Sequence, residues 1–308
     1  MFNGFDLSTI QDAKFGSTQV AQLYYGSHLI WPQSPQHDYS LDYLTFDILP
    51  TAGAVIDFSF RAEREDLATR TISYSLDNGT TWTQITSSYN NGRGTIIGDL
   101  NPGDKIMFKG INTTYNPIVN GTRAKNYFAY STSSANIEVS GNIMSLLYGD
   151  NFINQTLLTE IYTFESLFGT IAAITSAKNL ILPATTLTDY CYYNMFGSQT
   201  LMVEGPQILP ATTLAPYCYG MMFNNCWRLL RSPEIHATTL NTGSCKWMFS
   251  DCLALNEVHC YAQNISATEC LYQWMYNVAA SGTFYKDTNT TYPSGDSGIP
   301  ANWTVVNI

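Results

Sequence analysis

An internal repeat in the second half of the chain constrains the fold more than any other feature. Leu182-Pro-Ala-Thr-Thr-Leu187 returns as Leu209-Pro-Ala-Thr-Thr-Leu214 and then as Ile235-His-Ala-Thr-Thr-Leu240. Each unit also carries one aromatic residue at an equivalent place, in steps of 28, 27, 26 and 25 residues: Phe168, Phe196, Phe223, Phe249 and Trp274. A period of this length predicts a leucine-rich-type solenoid, with one strand and one short helix in each coil and coils stacked about 4.8 Å apart.

The helix of each coil is expected just before and around the repeated aromatic residue. Cys245, Met248, Phe249 and Cys252 are spaced i, i+3, i+4 and i+7. On an α-helix this spacing places all four side chains on one face. The pattern therefore predicts a short helix with a buried stripe of cysteine, methionine and phenylalanine.

The region before the repeats has a strand pattern instead. Apolar residues alternate with polar ones at Leu44, Phe46 and Ile48 and at Ile56, Phe58 and Phe60, and Ile106 and Phe108 follow a Pro-Gly-Asp turn. Alternation with a period of two is typical of half-buried β-strands. We therefore expect an antiparallel β-sandwich over residues 35–142.

The first 34 residues predict a small β-ribbon. Phe15-Gly-Ser-Thr18 and Tyr25-Gly-Ser-His28 each combine an aromatic residue with a glycine turn, which favours two short hairpins. A ribbon of this size cannot bury its own apolar side chains. The residues that need cover are Tyr24, Tyr25, Leu29 and Trp31. They either pack on the next domain or form an attachment module that contacts other proteins or sister chains.

The sequence thus predicts a mainly β protein with short helices, in three parts. Residues 1–34 form the N-terminal β-ribbon attachment module, residues 35–142 form the antiparallel β-sandwich, and residues 143–308 form the α/β leucine-rich-type solenoid with a C-terminal cap.

The repeat also resembles a known family. The consensus Pro-Ala-Thr-Thr-Leu-x-x-Tyr-Cys-Tyr-x-x-Met-Phe, followed by Cys226-Trp-Arg-Leu229 or Cys252-Leu-Ala-Leu255, is similar to the BspA-like leucine-rich repeats of gut-bacterial surface proteins and their phages. The flanks 139–152 and 297–306 resemble segments that border such repeats, so the similarity covers about residues 40 to 308. Gln199 departs from the pattern, because the family usually has cysteine there. The N-terminal ribbon more loosely resembles glycine-turn ribbons of phage structural proteins.

Composition and charge exclude several function classes. Only 12% of residues are charged and the net charge is −10, which argues against a nucleic-acid-binding protein because phosphate contacts need clustered cations. No apolar run reaches membrane-spanning length, and the N-terminus lacks the pattern of a secretory signal.

Catalytic chemistry finds no support in the motifs. The chain has four histidines, no nucleophile elbow, no phosphate-binding glycine loop and no interpretable carboxylate pair, so we expect no enzyme activity, no cofactor and no metal. One segment, Ser75-Leu-Asp-Asn-Gly-Thr-Thr-Trp82, matches the Asp-box pattern of sialidases. It occurs once, and Asp-Asn-Gly is by itself a strong hairpin turn, so we interpret it as structural.

All seven cysteines lie between Cys191 and Cys270, without metal-ligand spacing. Ile171 occupies the column of Gln199, Cys226 and Cys252, which favours buried free thiols, as does the odd number. Bridges between adjacent coils, such as Cys226 to Cys252, stay open as an alternative because coil spacing suits a disulfide.

The surplus of aromatic residues is the remaining functional signal. Tyr193, Trp247 and Tyr272 lie off the buried stripe, so we expect them to form a ligand surface for glycans or proteins. For any one of them, covering the core is the competing explanation.

Together these observations, with the resemblance, predict a structural protein on the surface of a bacteriophage virion that uses its repeats for adhesion or host recognition. Capsid decoration, head fibre and tail appendage are equally compatible. Expected partners are other virion proteins, through the N-terminal module, and a host-surface glycan or protein; the family suggests a homotrimer. The alternative is a bacterial cell-surface or secreted adhesin whose signal sequence is missing from this chain. A carbohydrate-active enzyme is a third class, which would require turnover.

Overall fold

The computed structural model describes residues 14–15, 18–19, 23–25, 28–31, 41–49, 56–64, 68–89, 94–131, 136–171 and 173–308. The protein is mainly β, as predicted, and the chain divides into two compact units, Met1–Ser40 and Leu41–Ile308.

The first unit contains two antiparallel strand pairs. Strands β1 (Lys14–Phe15) and β2 (Thr18–Gln19) pair, as do β3 (Leu23–Tyr25) and β4 (His28–Trp31). Each pair flanks one of the predicted glycine turns. Tyr24 and Tyr25 lie in β3, Leu29 and Trp31 lie in β4, and the ladder pairs Tyr24 with Leu29. Their side chains lie outside the described part, so the attachment role stays a prediction.

The second unit begins with antiparallel sheets. Its first strands are β5 (Leu44–Ile48), β6 (Ile56–Ala62), β7 (Thr71–Ser75), β8 (Thr83–Thr86), β9 (Thr95–Leu100), β10 (Lys105–Gly110), β11 (Ile118–Val119), β12 (Thr122–Arg123), β13 (Asn126–Ser131) and β14 (Ile137–Asn142). One sheet has the order β14-β5-β10-β7-β8, a second has the order β13-β6-β9, and β11 pairs with β12.

Aromatic side chains fill the space between these two sheets. Phe46 and Phe108 of the first sheet are fully buried against Phe58 and Phe128 of the second, with centroid distances of 4.8 Å for Phe46–Phe58 and 4.7 Å for Phe108–Phe128. The predicted inward alternation is therefore confirmed at Phe46, Phe58 and Phe108.

Parallel strands follow, one for each repeat. After helix α1 (Ser145–Tyr148) come β15 (Ile174–Ile181), β16 (Ile208–Leu209), β17 (Arg231–Ile235), β18 (Glu257–Cys260), β19 (Thr283–Lys286) and β20 (Thr304–Asn307). Strand β15 pairs in parallel with β14, and β16 to β20 form a parallel sheet in sequence order. The first sheet thus continues across the predicted boundary at residue 142, and the two regions share a core in which Phe46 lies 5.7 Å from Phe168.

The helical prediction for the repeats is wrong. Among the described residues, α1 is the only α-helix, and residues 242–251 form successive turns. Trp247 and Asp251 have φ of 55° and 61°, which an α-helix does not allow. The predicted burial is nonetheless confirmed, because Cys245, Met248, Phe249 and Cys252 are all fully buried.

The hydrogen bonds explain how a non-helical segment imitates a helix. Within residues 242–251, the odd-numbered residues donate to the next repeat, as in Cys245 N–H to Cys270 O at 2.9 Å and Phe249 N–H to Trp274 O at 2.8 Å. Even residues close a turn within the repeat, as in Met248 N–H to Cys245 O at 3.1 Å. A turn closes at every second residue, and the left-handed residues Gly243, Trp247 and Asp251 recur every four residues, which is close to the helical period of 3.6. Over eight residues the two patterns bury the same positions.

Candidate ligand-binding surface

A column of stacked aromatic rings lies inside the repeats and sets the spacing of the side chains on their surface. Phe196 lies 5.4 Å from Phe223, and Phe223 lies 5.7 Å from Phe249, with interplanar angles of 5° and 10°. Phe168 and Trp274 extend the column at both ends. Because interiors of this kind are close-packed, the outer side chains are held in a set register.

A second column, of tyrosines, runs along the outside of the turn segments. Tyr162 and Tyr190 are 4.9 Å apart, and Tyr190 and Tyr217 are 4.8 Å apart with an interplanar angle of 4°. We call these three residues the tyrosine ladder. All three are partly buried, and their hydroxyl groups make no hydrogen bond with a described residue. The three rings therefore cover one another's faces, and their edges and hydroxyl groups are the parts that a ligand could contact.

Arg123 closes one end of the ladder. Its guanidinium carbon lies 4.9 Å from the centre of the Tyr162 ring, a cation–π distance, and its Nε is 3.1 Å from Oε2 of Glu165. Burial raises the pKa of Glu165, while the charge of Arg123 opposes that shift. The buried carboxylate and the guanidinium together anchor the first ring.

Gly243 closes the other end. It occupies the ladder position of the next repeat, with φ of 57°, and a Cβ there would lie 2.3 Å from Cε1 of Tyr217. Only glycine leaves room for the Tyr217 ring at this point.

Tyr193, a predicted ligand residue, packs beside the ladder. Its ring meets Tyr190 edge-on at 5.5 Å, and its hydroxyl group lies 2.8 Å from Sδ of Met221. A Cβ on Gly220 would lie 2.8 Å from the Tyr193 ring, so the ring rests on that glycine. Burial raises the pKa of Tyr193, with a smaller contribution from Glu165.

Trp247 and Tyr272, the other two predicted residues, contact each other. Their rings meet at 5.8 Å and 74°, and Nζ of Lys246 lies 4.5 Å from the centre of the Trp247 ring and 5.0 Å from that of Tyr272. Lys246 also pairs with Glu269 at 2.6 Å, and this hydrogen bond is the main cause that raises the pKa of Lys246. Tyr272 is 40% exposed.

The three predicted residues therefore lie on turn segments of the stacked repeats, with their rings in contact with other side chains of the chain. Their role in binding stays a prediction. Tyr193 and Trp247 are partly buried, and Tyr272 is the most exposed of the three.

Sequence reasoning missed Trp227. This residue is 50% exposed and lies in a turn closed by Leu229 N–H and Cys226 O at 3.1 Å. Cys226 and Leu229 are fully buried, whereas Trp227 and Arg228 between them are exposed. The sequence contains a signal for this arrangement, because the pattern Cys-x-x-Leu recurs at Cys252. Its first and last residues are the buried ones, so the two residues between them are expected to face outward.

The Asp-box match is a self-contained hairpin turn, as interpreted. Asp77 accepts hydrogen bonds from the amide of Thr81 at 2.8 Å and its hydroxyl at 2.6 Å, and Trp82 Nε1 donates to Gly79 O at 3.0 Å. These bonds hold the pKa of Asp77 at about 2, the Thr81 hydroxyl having the largest effect. The carboxylate is fully used in shaping the turn between β7 and β8.

All seven cysteines are free and buried. Cys226 and Cys252 donate to the carbonyl oxygens of Phe196 and Phe223 in the preceding repeats, at 3.2 and 3.1 Å. Gln199 does the same to Phe168 O at 2.7 Å, which explains why glutamine can replace cysteine in this column. Burial raises the pKa of Cys191 and of Cys226 to about 12, so these thiols are not activated nucleophiles.

The described part of the chain contains no group of three histidine, cysteine, aspartate or glutamate side chains placed to hold a metal ion, and none of its helices could span a membrane. A cavity of about 600 Å³ opens beside β7 and β10, where Lys109 and Asp150 pair at 2.7 Å and neutralise each other.

Comparisons with family models, curated proteins and solved structures find no match to this chain.

Proposed function

We propose that this protein is a non-enzymatic adhesion protein of a bacteriophage virion, and that its repeats provide the binding surface. In this proposal the two facing antiparallel sheets are a β-sandwich and the parallel repeats are a leucine-rich-type solenoid. The observation that carries the proposal is the row of partly exposed aromatic side chains, held in register by the buried ring column. Preorganised aromatic groups bind partners with little ordering cost.

A location on the virion is supported by the resemblance of the repeats to BspA-like leucine-rich repeats, and by the looser resemblance of the N-terminal hairpins to ribbons of phage structural proteins. The N-terminal module would attach to other virion proteins, as a capsid decoration, a head fibre or a tail appendage, and a homotrimer would cover its apolar residues. Mass spectrometry and electron microscopy of purified phage particles test this location. Absence of the chain from particles, with its presence on a bacterial surface, would favour the alternative of a bacterial adhesin.

Adhesion is tested with fluorescently labelled full-length protein on a panel of gut bacteria. We expect binding that falls in Trp247→Ala and in the double variant Tyr190→Phe, Tyr217→Phe, which keeps the stacking and removes two hydroxyl groups. Ile111→Ala is the matched control, because Ile111 is 85% exposed and lies outside the repeats. Failure to bind any bacterium would contradict adhesion.

The absence of enzyme activity is tested separately on a panel of glycans. We expect no release of reducing sugar. Turnover that is abolished by a single aspartate or glutamate substitution would replace the proposal with a carbohydrate-active enzyme.

A further inference from the structure

Trp227 differs from every other tryptophan whose side chain the structure describes. The indole N–H of the other four donates to a protein acceptor: Trp82 to Gly79 O, Trp247 to Gln273 Oε1, Trp274 to Gly298 O and Trp303 to Ala279 O. The Trp227 indole makes no hydrogen bond and no ring contact with a described residue, and it is half exposed. Its apolar face and its donor are both available to a ligand.

Arg228 differs in the same way from the basic side chains around it. In the repeats, Lys178 pairs with Glu204 at 3.1 Å, Arg231 with Glu257 at 3.0 Å and Lys246 with Glu269 at 2.6 Å. Arg228 is exposed and forms no ion pair with a described residue. In a chain of net charge −10, a cation without a carboxylate is a site that can select for negative charge.

The turn presents these two side chains together. Trp227 and Arg228 are its two central residues, and the buried Cys226 and Leu229 fix both ends in the core. The backbone of Trp227 is also tied to the next repeat, since its carbonyl oxygen accepts from Ala254 N–H at 3.1 Å. The equivalent turn of that repeat has Leu253 and Ala254, which carry no charge.

We propose that the Trp227–Arg228 turn binds an acidic pyranose, a uronic or sialic acid unit of a surface glycan. The apolar face of the sugar ring stacks on the Trp227 indole, and the sugar carboxylate pairs with the planar guanidinium of Arg228, which suits two parallel hydrogen bonds. One indole and one guanidinium match one sugar unit, whereas a standard protein interface takes about 800 Å² from each partner. This inference rests on the proposed function, because it names the ligand of the adhesive repeats.

The test uses the full-length protein and two immobilised probes, an oligosaccharide ending in glucuronic acid and the same oligosaccharide ending in glucose. The acidic probe is expected to bind more tightly, and higher salt should weaken that preference. Trp227→Ala should weaken binding of both probes by at least about tenfold, the size of one lost anchor residue. Arg228→Gln should abolish only the preference for the acidic probe.

Leu253→Ala is the control at the equivalent turn of the next repeat and should leave binding unchanged. Both turn residues of the test are exposed, so their variants should keep the wild-type unfolding midpoint, which is measured alongside. Equal binding of the two probes by the wild-type protein, or full binding by Trp227→Ala, would overturn the inference.

A protein receptor is a distinguishable outcome. Suppose that the protein binds bacteria but binds neither the glucuronic acid probe nor a sialic acid probe, and that protease treatment of the cells abolishes the binding. The proposed sugar class is then wrong, and the proposed adhesion stands. If the protein binds neither cells nor probes, the proposed function fails as well.

Discussion

The antiparallel sheets and the repeats bury similar aromatic side chains on different backbones. In the sheets, strands such as β10 pair with a neighbour on each side, and Phe46 and Phe108 contact Phe128 of the opposite sheet. In the turn segments of the repeats, alternate N–H groups bond to the next repeat while the others close local turns. The sheets therefore gain cohesion between distant segments, whereas each repeat depends on its immediate neighbours.

The largest effect is expected in the ring column. Phe223→Ala removes a fully buried ring that is stacked on both faces, and should lower the free energy of unfolding by about 3–5 kcal/mol. Phe108→Ala, the control in the sheets, should cost a similar amount. Urea unfolding measures both, and a loss below about 1 kcal/mol for Phe223→Ala would show that the repeats are not packed as a column.

Alkaline pH should act on the repeats, because all seven thiols lie there. Unfolded cysteines ionise near a pKa of about 8.5, whereas burial raises the pKa of Cys191 to about 12 in the folded protein. Above that lower value the unfolded chain has lost protons that the folded chain keeps, so stability falls as pH rises. Each such thiol contributes up to about 1.4 kcal/mol per pH unit.

The measurement is the urea midpoint between pH 8 and pH 9.5, with Cys191→Ala and Cys226→Ala as variants that should flatten the curve. A midpoint that does not fall over this range would contradict the burial of the thiols.

A smaller effect separates ring packing from backbone strain. Gly243→Ala should destabilise the protein by about 1–3 kcal/mol, because the new Cβ meets the Tyr217 ring. Gly121→Ala in the turn between β11 and β12 is the matched control, since Gly121 also has positive φ, 74°, but open space around its Cβ position. Equal losses in the two variants would mean that the tyrosine ladder does not rest on Gly243.

The smallest effect is local to the β7–β8 hairpin. The hydrogen bonds that Asp77 accepts lower its pKa to about 2, so their stabilisation is present above the usual value near 4 and is lost as pH falls towards 2. NMR titration of the Asp77 carboxyl carbon should give a midpoint near 2. A midpoint near the ordinary value would show that the turn does not hold the carboxylate.

Sequence patterns predicted the sheets well because burial and backbone have the same period there. Leu44, Phe46 and Ile48 alternate, and alternation follows directly from the extended backbone. In the repeats the same logic found the buried residues of the Cys245–Cys252 stripe but assigned the wrong backbone. A period of four residues and the helical period of 3.6 residues differ too little to be distinguished over one short segment. The positive φ of Trp247 could not be predicted either, because tryptophan is not a residue that favours it.

The candidate site was predicted only in part, for a related reason. Tyr193, Trp247 and Tyr272 were expected off the buried stripe on helical segments that are turns in the structure, and sequence alone could not show that Lys246 and Gly220 lie against their rings. Two of those contacts, Gly220 with Tyr193 and Lys246 with Tyr272, join residues more than twenty positions apart. The open indole of Trp227 could be inferred only from the turn that buries Cys226 and Leu229 and leaves the two residues between them outside.

Hydrogen exchange of the full-length protein, with and without envelope vesicles from a bacterium that it binds, tests whether the repeats are the binding surface. We expect slowed exchange on binding in the turn segments of the repeats, between residues 186 and 278, and unchanged exchange in the antiparallel strands β5 to β13. Protection confined to those strands, with none in the repeats, would contradict this expectation.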